Sequence, residues 1–259
     1  MCYDDNARPP LPPGAGGTAT GEEIVLTASD GTQFAAYAAH AGNPGGAQVV
    51  ILPDVRGLHQ FYKELALRFA EMGFSAVAID YFGRTAGVSS RNDSFEYMPH
   101  VQQLQIPTVF ADITAALDYL RKENPQKAAF TTGFCLGGSL SLASATNKAF
   151  GLAGSIAFYA GLARKIAGAQ ESILDASKQT INPVLGLFGG ADQGIPTNQV
   201  EELDKNLDAA GIEHEIKIYP GATHSFFDRR ATEFAEASSD AWQKVLKFIS
   251  EHSSQTIGV

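Results

Sequence analysis

Cysteine is nearly missing from this chain: 259 residues carry two, Cys2 and Cys135. Two are too few for a disulfide framework or a structural zinc site, and a bridge from the extreme terminus to position 135 is not expected. Long apolar runs are missing too, and no stretch approaches the roughly 18 residues of a membrane-crossing helix. The opening "MCYDDNARPP" lacks the basic segment and apolar core of a secretory leader, and Cys2 lacks the hydrophobic segment that precedes a bacterial lipidation site. Positive charge is short as well: 19 Lys and Arg face 28 Asp and Glu, a net −9. That balance argues against nucleic acid and anionic membranes as partners. The expectation is a cytoplasmic protein with reduced thiols. Whether it is a monomer or a homo-oligomer stays open.

What is present is ordinary for a globular protein, with 44% hydrophobic residues. Residues 1–21 are rich in Pro, Gly and Ala and read as an extended arm or surface strap; residues 22–259 read as a single domain. "EEIVLTASDGTQFAAYAAH" reads as a β-hairpin turning at Asp30-Gly31. The short apolar runs "AQVVILPD", "FSAVAID", "KAAFTTG", "LAGSIAFYA" and "NPVLGLFGG" suit buried strands, and "HEIKIYP" is a further strand. Helices are predicted over Phe61–Glu71, from Pro107 to about Asn124, over "LGGSLSLASAT", from a Thr197 cap to Ala210, and from about Thr232 to His252. Tyr81 to about Gln105 reads as a long polar segment, and Gly161–Gln179 as irregular helix that either shapes the pocket or merely packs. An antiparallel start followed by repeated β-then-α units predicts an α/β fold with a mostly parallel sheet covered on both faces by helices. In such sheets reactive groups gather at the carboxyl ends of the strands.

One cysteine stands at such an end. In "TTGFCLGGSL" the strand runs straight into a helix, with Cys135 between Gly133 and Gly137. A nucleophile on so sharp a turn is lifted above the sheet edge, and the glycines remove β-carbons that would collide. The helix amino end favours thiolate over thiol, and the Leu136 N–H is placed for an oxyanion. Taken alone, G-x-C-x-G fits a small buried thiol equally well. The partners weigh against that. Of six histidines, His224 in "GATHSFFD" follows a strand, as does Asp192 in "GGADQGIP". A surface histidine and a turn-forming acid are plausible singly. The order Cys135, Asp192, His224, each just after a strand, is the nucleophile–acid–histidine order of this kind of hydrolase.

With "GFCLGG", "GGADQGIP", "YPGATHSFFD" and "VVILPDVRGLHQFYKELALRFAEMGFSAVAIDYFGR" taken together, the chain after its arm resembles the dienelactone hydrolases, the cysteine branch of the α/β-hydrolases. The resemblance implies an α/β-hydrolase fold, no metal and no organic cofactor, and opening of an enol lactone to an open-chain acid, as in breakdown of chlorinated aromatics. It implies Cys135, His224 and Asp192 as the triad, and Val55 as the second oxyanion N–H. It also implies that Asp54, where the family usually has glutamate, interacts with the resting thiol. Arg84 matches one carboxylate-binding arginine of the family. At the second such place this sequence has Asp228, with Arg229 and Arg230 following. Arg91, Tyr97 and His100 in the polar segment are weaker substrate-binding candidates.

A thiolate leaves a tetrahedral intermediate easily, so the chemistry favours enol lactones, activated esters or thioesters over peptides. Three alternatives stay beside the lactonase: a thioesterase or carboxylesterase, a ligand-binding protein that lost turnover, and a peroxide-sensing thiol. The last lacks a nearby resolving cysteine.

Overall fold

The computed structural model describes residues 6–89 and 91–253. Cys2, and with it the expectation that it forms no bridge to Cys135, lies outside the described residues.

Runs of five to seven apolar or small residues set the architecture. β3 (Ala47–Leu52), β4 (Ser75–Ile79), β5 (Ala128–Phe134), β6 (Gly154–Phe158) and β7 (Val184–Gly189) are buried along their whole length. A strand covered on both faces has no solvent side to reserve for polar residues. β1 (Ala19–Thr27) and β2 (Gln33–Ala41) form the expected antiparallel hairpin. Gly31 takes φ 84° at its turn, and the Asp30 carboxylate accepts the Thr32 N–H at 3.0 Å. With β8 (His214–Tyr219), one sheet of eight strands results, in the order β1-β2-β4-β3-β5-β6-β7-β8. Every pairing from β4 to β8 is parallel, so these carboxyl ends share one edge.

The helices are α1 (Gln60–Glu71), α2 (Gly83–Ala86), α3 (Met98–Gln103), α4 (Ile106–Glu123), α5 (Leu136–Ser144), α6 (Ile173–Ala176), α7 (Thr197–Ala209) and α8 (Ala235–Ser253). The segment after β4 is therefore not wholly loop: α2 and α3 lie inside it. The segment 161–179 holds less helix than expected, only α6 and the 3-10 turn Ser177–Gln179. Gly168, at φ 80°, breaks its regularity before Ser172 caps α6. Thr197 is the first residue of α7 rather than its cap, which is Pro196.

The arm is shorter than the sequence suggests, since β1 already begins at Ala19. Ahead of β1, Pro9 and Pro12 are buried, and the Trp242 indole N–H on α8 donates to the Pro10 carbonyl at 2.9 Å. Proline suits such a strap, because its ring packs without bringing an N–H that needs a partner. Trp242 also meets Phe69 of α1, ring centres 5.1 Å apart, so one indole ties strap, α1 and α8 together. Trp242→Ala is expected to cost about 3–5 kcal/mol and to lower Tm by roughly 10 °C. A thermal scan checks this, and an unchanged Tm would mean the strap and helices do not depend on that contact.

Candidate active site

Cys135 stands alone between the end of β5 and the start of α5, with φ 54° and ψ −111°. A side-chain-bearing residue held at positive φ stores strain, and the surrounding backbone must over-determine it. It does. The Cys135 N–H donates to the Phe158 carbonyl at 3.0 Å. A β-carbon on Gly133 would fall 1.9 Å from the Gly137 carbonyl oxygen, and one on Gly137 would fall 2.0 Å from that of Leu52. Both glycines are thus required by close backbone approach, and Cys135 is left half-buried at the tip.

His224 sits in the loop after β8, and Asp192 in the loop after β7. His224 Nδ1 and Asp192 Oδ2 are 2.6 Å apart. The other Asp192 oxygen accepts the Gly194 N–H at 2.8 Å, which fixes the carboxylate plane. The Cys135 side chain acts on the same imidazole. Burial pushes the imidazole down. The hydrogen bonds and negative charge of Asp192 and Cys135 outweigh that and raise it to about 10. The imidazole is therefore charged at neutral pH. The stability this brings is complete below its usual value near 6.5 and is lost as pH rises through about 10.

The N–H of Leu136 is the first of α5, and a helix leaves its first N–H groups without internal acceptors. A β-carbon on Gly137 would also fall 2.3 Å from the Pro53 carbonyl oxygen, so the chain leading into Val55 lies against the start of α5. Asp54 is fully buried in that turn. One of its carboxylate oxygens accepts the Arg56 N–H at 2.9 Å, and its carbonyl accepts the Tyr81 hydroxyl at 2.6 Å. Burial, then the charges of Asp54 and Cys135, push the Tyr81 phenol well up, so acid and thiol flank one neutral phenol.

The arginine candidates part company. Arg84 pairs with Asp30 of the hairpin turn and with Asp112 of α4, and also donates to the Thr108 carbonyl. Arg91 is buried, 2.7 Å from the Asp80 carboxylate and over the Phe95 ring. Tyr97 caps α3 half-buried, and His100 contacts the Thr85 hydroxyl at 2.9 Å while stacking on Phe95. Arg229 is different: it is exposed and, with Arg230, lines a cavity of about 580 Å³ whose wall includes Asp192 and His224. A larger hollow of about 830 Å³ lies between β1 and α4, away from Asp192 and His224, and its lining carries no histidine.

Two neighbours of the site escape sequence reading. Tyr159, at φ 37° just past β6, lays its ring 5.0 Å from that of His224. Arg164 is exposed near Gly161, and its charge acts on Tyr81, which places it at the same edge. Nothing local marks either one, since a tyrosine ending an apolar strand reads as core.

Comparison with known proteins places the fold in a family. Two curated relatives carry the name "Putative carboxymethylenebutenolidase". The one from Yersinia pestis is 27% identical over 237 residues, covering 89% of this chain and 88% of its own length. The one from Methylorubrum extorquens is 28% identical, covering 86% and 78%. Among solved structures, the "Putative Dienelactone Hydrolase from Klebsiella pneumoniae subsp. pneumoniae MGH 78578" superposes with a TM-score of 0.77 at 25% identity, covering 90% of this chain and 99% of its own. These proteins are ester-hydrolysing enzymes by name, and no helix among the described residues is long and apolar enough to cross a membrane. The model of the dienelactone hydrolase family matches residues 34–253, the part that holds every strand from the second to the eighth, and the chain belongs to that family.

Proposed function

We propose that this hydrolase opens an enol lactone or a related activated ester through a Cys135–His224–Asp192 triad and a thioacyl-enzyme. The observation that carries the reading is the 2.6 Å contact of Asp192 with His224, a ring on which Cys135 also acts from the strained turn between β5 and α5. The Cys135 thiolate attacks the acyl carbon, and the carbonyl π electrons move onto oxygen. The N–H groups of Leu136 and Val55 receive that charge. Collapse breaks the bond to the leaving oxygen, which takes the proton from His224 and departs as an enol or alcohol. Neutral His224 then draws a proton from water, whose oxygen attacks the thioester and returns sulfur as thiolate. Asp192 fixes the tautomer and tilt of the ring throughout. No cofactor enters any step. The acting unit is the single domain built on the eight-stranded sheet, with a small-molecule substrate.

One observation bears on the substrate. Asp228 is buried where the family's second carboxylate-binding arginine would stand, and Arg84 is paired with Asp30 and Asp112. That favours neutral activated esters and thioesters over substrates with a free carboxylate. A panel of a dienelactone acid, its methyl ester, a p-nitrophenyl ester and an acyl thioester decides. The neutral members are expected to exceed the acid in kcat/KM by about tenfold or more, since an uncompensated like charge costs well over 1 kcal/mol in a half-buried site. Turnover of none of them would defeat the proposed function. A preference for the acid would restore carboxylate recognition, with Arg229 and Arg230 as its source.

A further inference from the structure

Behind His224 lies a buried pair that the proposed mechanism leaves unused. The Tyr159 hydroxyl donates to Asp228 Oδ2 at 3.0 Å, and the Arg229 N–H donates to Asp228 Oδ1. Asp228 is 4% exposed and Tyr159 wholly buried. The Tyr159 ring in turn lies against His224, tilted 57° to it, and Phe226 closes on the other side of the phenol at 5.5 Å. Tyr159 is held at positive φ to reach this position, a strain that a core-filling tyrosine would not need.

We propose that Asp228 and Tyr159 form a positioning pair for the His224 imidazolium, so that ionisation of Asp228 tunes how readily the Cys135 sulfur beside that ring reacts. The proposal rests on the triad reading given above.

The electrostatics support the geometry. Burial raises Asp228 most, the neighbouring Asp54 charge raises it further, and the Arg229 N–H, the Tyr159 hydroxyl and the His224 charge hold it down, leaving it at about 7. Coupling between two titrating groups is reciprocal. If the imidazolium favours the Asp228 carboxylate, the carboxylate favours the imidazolium by the same free energy, and holds the ring beside Cys135 in place. The charged and titratable groups around Asp228 come from four loops: Asp54 after β3, Tyr159 after β6, Asp192 after β7 acting through His224, and His224 itself after β8. Tyr81, after β4, binds the Asp54 carbonyl and stays a neutral phenol.

The test follows two readouts from pH 5.5 to 8.5 in a Cys2→Ser background: kcat/KM on a neutral p-nitrophenyl ester, and the rate at which iodoacetamide alkylates Cys135, located by mass spectrometry. For the parent both are expected to rise by up to about tenfold between pH 6 and pH 8, the change in ionised fraction of an acid titrating near 7. Asp228→Asn, which keeps an acceptor for Tyr159, is expected to flatten that limb. Tyr159→Phe removes a bond that holds Asp228 down, so the limb moves to higher pH. An Asn variant with the parent's limb, or a Phe variant with an unmoved one, overturns the proposal. If Asp228→Asn does not fold, the Tyr159→Phe limb decides alone. Absence of ester turnover in the parent would defeat the proposed function, while the alkylation profile would still decide this pair.

Discussion

Cys135→Ala is expected to lose ester hydrolysis by at least about 10³-fold in kcat, while Tm and the far-ultraviolet spectrum stay near those of the parent. The two halves of that result belong together. The fold around Cys135 is held by backbone: its own N–H on the Phe158 carbonyl, and the glycines at 133 and 137 fitted against backbone carbonyls. Removing the sulfur leaves all of this standing. It also relieves His224 of the hydrogen bond and charge that help raise its basicity. Residual rate would come only from binding and from the Leu136 and Val55 N–H groups acting on adventitious water. The check is a progress curve on a p-nitrophenyl ester beside a thermal melt. Full activity with an intact fold would remove Cys135 from the chemistry.

Asp192→Asn is expected to lower kcat/KM by about 10²- to 10⁴-fold without unfolding the protein. The amide is the same size, and Asn keeps an oxygen for either the Gly194 N–H or the His224 ring. It cannot do what the carboxylate does, which is to fix the ring so that its other nitrogen faces sulfur and to balance the imidazolium. Burial would then have less to oppose it, so His224 falls from about 10 toward or below its usual value. The sign for pH follows. In the parent the charged imidazole persists until pH approaches about 10, and in the variant the thiolate–imidazolium pair fails at lower pH on the alkaline side. A pH series of the His224 ring-proton NMR shift would show the imidazole titrating at lower pH than in the parent. An unchanged titration would mean that Asp192 holds His224 sterically and contributes no charge.

Much of this was legible before any coordinates. A buried strand announces itself by being apolar throughout, and a glycine on each side of Cys135 marks a turn that no β-carbon could enter. His224 and Asp192 each follow a strand in the sequence, and in a parallel sheet that placement alone brings them to one edge. What stayed hidden depends on contacts distant in sequence. Arg84 closes a strand–loop motif and reads as a free cation. Its partners Asp30 and Asp112 lie 54 and 28 positions away, and no local pattern connects them. Asp228 is 69 positions from Tyr159, and its burial, not its identity, makes it titrate near neutrality. The arm reads as loose because it is short of large apolar residues, yet its prolines pack because Trp242 arrives from the far end of the chain. The irregular segment after β6 misled in the opposite way, since helix-favouring Ala, Arg and Lys at 163–167 were overruled by Gly168.

The most direct measurement is acid quenching within milliseconds of mixing with a p-nitrophenyl ester, followed by peptide mass analysis. The account predicts the acyl mass on the peptide containing Cys135, formed as fast as the burst of nitrophenol and lost at the rate of steady turnover. An acyl group carried by another residue, or full turnover with no acyl-peptide at any time, would contradict it.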